Sequence, residues 1–158
     1  LGGALGSHFT RARYHAYLQA MEKYELPLKD KMVGYSYFIS ECTQKFLPQL
    51  LKEQVTAILC AHDLLAQAVV TQCREFGYHV PNDISVIGFD DASFSAYTSP
   101  PLTTIRQDRS ALGNCGFYAL TSLLNNTPIS TLLLRAELIV RGSAGPARKG
   151  KLAKPLTP

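Results

Sequence analysis

The chain has 158 residues, 46% of them hydrophobic and 18% charged, a makeup that excludes a disordered tail and suits one soluble globular domain with a genuine core. The formal net charge of +4 is matched by Arg148, Lys149, Lys151 and Lys154 of the Gly- and Pro-rich stretch 144–158, so the body is balanced and no basic nucleic-acid surface is expected on it. No apolar run approaches the roughly 20 residues of a membrane span, and the opening LGGALGSHF lacks the basic start and long apolar stretch of an export signal.

Leu1 to Gly3 reads as the end of a strand, and a start there without methionine is what a fragment is expected to show. A helix is predicted over about 10–24, with Ala12, Ala16, Tyr17, Ala20, Met21 and Tyr24 on one face at three- and four-residue steps. Met32 to Tyr35 is a short strand, followed by a helix over 40–53 with Phe46, Leu47, Leu50 and Leu51 inward. Pro48 lies inside that helix and predicts a kink or a late start, because it lacks a backbone donor.

TAILCA, residues 56–61, is apolar throughout, as in parallel strands buried on both faces. Helix 63–76 follows, capped at its end by Gly77. Then come strand 84–89, a short helix over 93–97, strand 102–105, helix 108–124 with Leu112, Phe117, Leu120, Leu123 and Leu124 apolar, and strand 137–140. Alternation of strand and helix predicts a doubly wound α/β fold with a mainly parallel sheet and helices on both faces. Ligands in such sheets sit beyond the carboxyl ends of the strands, which directs attention to residues 3–13, 35–39, 62–63 and 89–91. The basic stretch 144–158 is expected to be a flexible tail.

Cys42, Cys60, Cys73 and Cys115 form no CxxC pair, and His8, His15 and His79 share no ligand spacing, so no metal and no cofactor is expected. The thiols read as small buried groups of a reducing compartment. Enzyme signatures are also missing: there is no GxGxxG, no P-loop and no GxSxG elbow.

The run HDLLAQAVVTQCREFGYHVPNDISVIGFDD, followed by SPPLTTIRQDRSALG and ELIVRGS, resembles the effector-binding core of the lactose/galactose repressor (LacI/GalR) family of bacterial transcription regulators. That family carries, in order, N-D-x-x-A, G-x-x-V-P-x-D-x-S-V-x-G-[FY]-D, P-x-L-T-T-[IV]-x-Q, L-G and [LV]-x-R-x-S, and the likeness spans residues 1–143. It implies a periplasmic-binding-protein-like clamp of two subdomains around a small sugar-like effector, an operator-binding helix-turn-helix on another part of the polypeptide, and a cytoplasmic setting. This chain would be mostly the C-terminal subdomain, with helix 108–126 belonging to the N-terminal subdomain it lacks. A homodimer would form through helix 40–53 and segment 93–97, where Phe46, Phe94 and Tyr97 look exposed. DNA would be reached only through the helix-turn-helix, and no membrane is involved. The competing reading is a periplasmic sugar-binding protein of a transport system.

By the same resemblance Arg13 is the arginine that forks onto ligand oxygens, with Arg11 as the neighbouring option. Asp90 is the carboxylate acceptor at the strand end, Asp91 a helix cap, and Phe89 a pocket wall. His62 stands where many members have Asn, and Asp63 beside it reads as the N-cap of helix 63–76. Among Tyr35, Tyr37 and Phe38, Tyr37 is taken as the aromatic that stacks on the ligand, although ungapped counting puts Ser36 at that position.

Overall fold

A computed structural model describes residues 1–3 and 6–150. Helix α1 (His8–Lys23) opens the fold, and after a 3-10 turn at Asp30–Met32 one helical rod is built from α2 (Ile39–Glu41), a π-helical stretch (Cys42–Phe46) and α3 (Leu47–Lys52). The remainder runs β1 (Ala57–Leu59), α4 (Asp63–Glu75), β2 (Ser85–Asp90), β3 (Thr103–Arg106), α5 (Arg109–Leu124) and β4 (Glu137–Ile139). The strands lie in the order β1-β2-β3-β4; β1, β2 and β3 are parallel and β4 closes the edge antiparallel.

The wide turn resolves the expected kink. Pro48 has no N–H to give the Gln44 carbonyl, and the helix meets this by widening one turn earlier, where the Leu47 N–H reaches back five residues to Cys42 O. Leu47, Leu50 and Leu51 of α3, Leu65, Ala66, Val69, Val70 and Cys73 of α4, and Ile58, Cys60, Val86 and Leu102 on or beside the strands together form the core. Each such aliphatic side chain contributes roughly 1.5–3 kcal/mol on burial. Burial also raises the Cys60 and Cys73 thiols to about 12, so both are inert filling.

Several expectations are corrected. Residues 32–35 form no ladder among the described residues; Gly34 O accepts from Gly2 N–H, and the following Ser36 makes an isolated antiparallel bridge with Gly3. Segment 93–97 is a pair of turns, not a helix, with Ser95 N–H on Ala92 O and Tyr97 N–H on Phe94 O. The twelve residues between β2 and β3 thus cross over without a helix. The predicted inner face of α1 is rotated, since Ala12, Ala16, Ala20 and Tyr24 are exposed while Arg13, Tyr14, Tyr17, Leu18 and Met21 are half-buried. Phe46 is half-buried and lies over Gly34, where an added Cβ would meet its ring. The stretch 144–150 is tied down rather than free: Gly145 N–H bonds Ser85 Oγ, and Arg148 donates to Gln54 O and Val55 O. Residues 151–158, the rest of the expected tail, lie outside the described residues.

Helix α5 keeps its apolar side chains in solvent. Phe117 is 70% and Leu120 56% exposed, and Ser122 is the buried residue of the helix. Changing Leu120→Glu and Phe117→Lys together is therefore expected to move the urea unfolding free energy of this chain by less than about 0.5 kcal/mol, against roughly 2–5 kcal/mol for Leu65→Ala. A loss from the α5 pair comparable to that from Leu65→Ala would show that α5 is packed after all.

Candidate functional site

The carboxyl ends of β1 and β2 are brought under the first turns of α1. Arg13 reaches down from α1 and donates from NH1 to the Ala61 carbonyl at 2.7 Å, while its guanidinium carbon lies 3.8 Å above the Phe89 ring centroid. The backbone contact holds the arm and the ring supports the flat face of the cation, which leaves donors of the fork for a ligand. Arg11, two residues before Arg13 on α1, is exposed.

His62 follows Ala61 and has a structural role besides the expected one. Its extended backbone places Nδ1 3.1 Å from the Leu65 N–H, so His62 rather than Asp63 is the N-cap of α4. The capped nitrogen is an acceptor, and Nε2 remains as the ring's outward polar atom. Asp63, the first residue of the helix, is 1% exposed and turned inward. There Oδ2 accepts from Ala92 N–H at 2.6 Å and Ser95 Oγ at 2.7 Å, and Oδ1 accepts from Thr104 Oγ1 at 2.5 Å.

Asp90 and Asp91 form a strained corner, with φ of +102° and +49°, a region costly for residues other than glycine. Asp90 is half-buried and accepts from Gln107 Nε2 at 2.8 Å. Asp91 caps no helix. Its carboxylate is shared between Arg106 Nε at 2.7 Å and Arg141 NH2 at 2.8 Å. Burial works to raise this carboxyl, but the hydrogen bonds and charges of Arg106 and Arg141 outweigh it and hold the group below the usual carboxylate range.

Tyr37 is 80% exposed, and Ser36 donates to Glu41 Oε2 and takes the Phe38 N–H to start the next helix. A depression of about 500 Å³ is lined by Asp91 and Arg106 themselves with Gln107, Arg109, Arg135 and Glu137; it includes none of the five expected ligand residues. Arg13, Phe89 and His62 thus gather at one sheet edge, Asp90 stands at the end of the same strand as Phe89, and Tyr37 makes no contact with them.

Three residues escaped the sequence reading. Arg141 and Ser143 of ELIVRGS served only as a pattern there. In the fold Arg141 pairs with Asp91, and buried Ser143 bonds Val86 O and Thr103 N–H, tying β2 to β3. Asp63 was masked by its position at a helix start, where a cap is a sufficient local explanation.

Residues 3–144 match the family model described as a periplasmic binding protein-like domain. The chain is 34% identical over 128 residues to the HTH-type transcriptional regulator MalR of Streptomyces coelicolor, covering 78% of this chain and 37% of that protein. It is 34% identical over 145 residues to the HTH-type transcriptional repressor PurR of Photorhabdus laumondii, covering 89% and 42%. Of solved structures, the lac repressor dimer bound to operator and the anti-inducer ONPF matches with a TM-score of 0.78 at 28% identity, over 90% of this chain and 50% of that one. A complex of the regulator CelR with cellobiose matches at 0.73 and 26%, over 84% and 42%. The chain spans about two fifths of the length of these curated relatives.

Proposed function

Since the chain belongs to the periplasmic binding protein-like domain family, in the form carried by LacI-type transcription regulators, we propose that it is the effector-sensing part of such a regulator. Its strand ends bind a small, sugar-like molecule, and that binding alters how a helix-turn-helix elsewhere on the polypeptide holds its operator. The observation that carries this reading is Arg13, fixed over Phe89 and against Ala61 O with part of its fork uncommitted, at the carboxyl edge where α/β sheets take ligands. Asp90 supplies an acceptor for ligand hydroxyls, and His62 Nε2 a third polar point.

Only one face of a clamp is present. The exposed apolar side of α5 accords with a second subdomain covering it, and residues 108–126 would then count with that subdomain. Dimerisation through the 40–53 rod and segment 93–97 fits the exposure of Tyr97, at 89%, better than that of half-buried Phe46. Among the described residues no helix is long and apolar enough to cross a membrane, and no group of three or more His, Cys, Asp or Glu is placed to hold a metal. The relatives reported above are regulators, which favours a cytoplasmic sensor over a transport protein and over an enzyme.

The test is a thermal-shift panel of mono- and disaccharides and nucleobases on the full-length protein, with operator binding measured beside it. A compound that raises the melting temperature and changes operator affinity supports the sensor. A regulator whose operator affinity no stabilising compound alters would sink it.

A further inference from the structure

We propose that Asp63 is the positioning residue that holds the Asp90–Asp91 corner in its left-handed form, an inference that rests on Asp90 being the ligand acceptor. The corner consists of two consecutive non-glycine residues at positive φ, and something must hold it. The fastening converges on one side chain. Ala92 N–H, the first backbone donor after the corner, points at Asp63 Oδ2. Asp91 N–H points at Thr104 Oγ1, at a longer 3.4 Å, and that hydroxyl spends its own proton on Asp63 Oδ1. The backbone after Asp90 is thus held twice, once directly and once through a threonine.

The chemistry of the partners requires a carboxylate. Ala92 N–H, Ser95 O–H and Thr104 O–H are all donors, and a carboxylate accepts at both oxygens, whereas an amide would turn an NH2 toward one of them. No cation neutralises Asp63 in this network; the start of α4 supplies a favourable dipole, and the three donors supply the rest. Gly88 completes the arrangement. It is buried two residues before the corner, and a Cβ there would collide with Asp63 Oδ1 and crowd Leu102. The glycine of the VIGFDD run therefore leaves space for a carboxylate that crosses beneath β2 from another element. Ser95, fully buried, extends the same anchor into the segment that carries Phe94 and Tyr97.

The test reads the corner without any ligand. Amide hydrogen exchange and the N–H/Hα couplings of Asp90, Asp91 and Ala92 are measured by NMR on the full chain, as wild type, Asp63→Asn and Thr104→Val. In Asp63→Asn the Asp91 and Ala92 amides should exchange about tenfold faster or more, relative to the Val86 amide in the middle of β2, and the couplings of Asp90 and Asp91 should shift. Thr104→Val preserves volume and should release Asp91 more than Ala92, which decides the matter should Asp63→Asn fail to fold. If the corner amides move only in step with Val86, Asp63 is a stabilising core group and the proposal is overturned. The exchange is read without ligand in proteins that keep Asp90, so a failure of Asp90 as the ligand acceptor would leave it unchanged and the two failures are distinguishable.

Discussion

Arg13→Ala in the full-length protein is expected to weaken effector binding about 100-fold, read by calorimetry against a compound found in the thermal-shift panel. Two hydrogen bonds from a guanidinium to ligand oxygens are worth roughly 1.5 kcal/mol or more each, and 1.4 kcal/mol is tenfold in affinity. The same substitution removes the bond to Ala61 O and the stack on Phe89, both at the half-buried edge of the fold, so stability should change by only about 1 kcal/mol. Arg13→Lys should recover little, because an ammonium has neither the fork nor the flat face that fits above the ring. Asp90→Ala should also weaken binding, though Gln107 would lose its acceptor in the process. Unchanged affinity in both Arg13→Ala and Asp90→Ala would remove this edge as the binding site.

The sheet was readable because its determinants are local. TAILCA and ISVIGF are apolar runs, and Ile58, Cys60, Ile84 and Val86 are buried accordingly, but Ala57 and Leu59 are exposed, so β1 is buried on one face and not on both as its composition predicts. The apolar face of α5 was readable too, but its exposure depends on what else is present, a fact that periodicity does not carry. Segment 93–97 failed for a related reason. Ser95 is committed through its hydroxyl to Asp63 and through its carbonyl to the Leu102 N–H, and those partners outweigh the weak helical signal of five residues.

At the site, the divide lies between residue type and residue partner. The strand-end location of Asp90 follows from the order of elements, whereas Arg13 is marked by the family resemblance alone, since the apolar spacing of α1 puts Ala12 and Ala16 rather than Arg13 on the inner face. The pairing of Asp91 with Arg106 and Arg141, and of Asp63 with Ala92, Ser95 and Thr104, joins positions 15 to 50 residues apart. Local patterns offered each acid a nearer employment as a helix cap, and in the fold His62 took the one cap at α4.

Asp91→Ala is expected to cost about 2 kcal/mol of unfolding free energy at pH 7, short of the roughly 3–5 kcal/mol for breaking a fully buried pair because Arg106 remains open to water. Most of the loss falls on Arg141, whose side chain is 17% exposed and which would keep only its bond to Leu102 O. Position matters as much as energy. Arg106 ends β3, where the chain leaves for α5, and Arg141 follows β4, where it has returned, so a single carboxylate pins both connections to the helix that faces outward. The sign of the pH dependence follows from the lowered carboxyl. Its stabilisation is fully present above the unfolded value of about 3.9 and is lost as pH falls through the lower folded value. Urea unfolding of wild type and Asp91→Ala should therefore differ most near neutrality and converge as pH is lowered through that folded value. A gap that stays constant as pH is lowered that far would mean that Asp91 acts by packing alone, and that the two connections are held by something other than its charge.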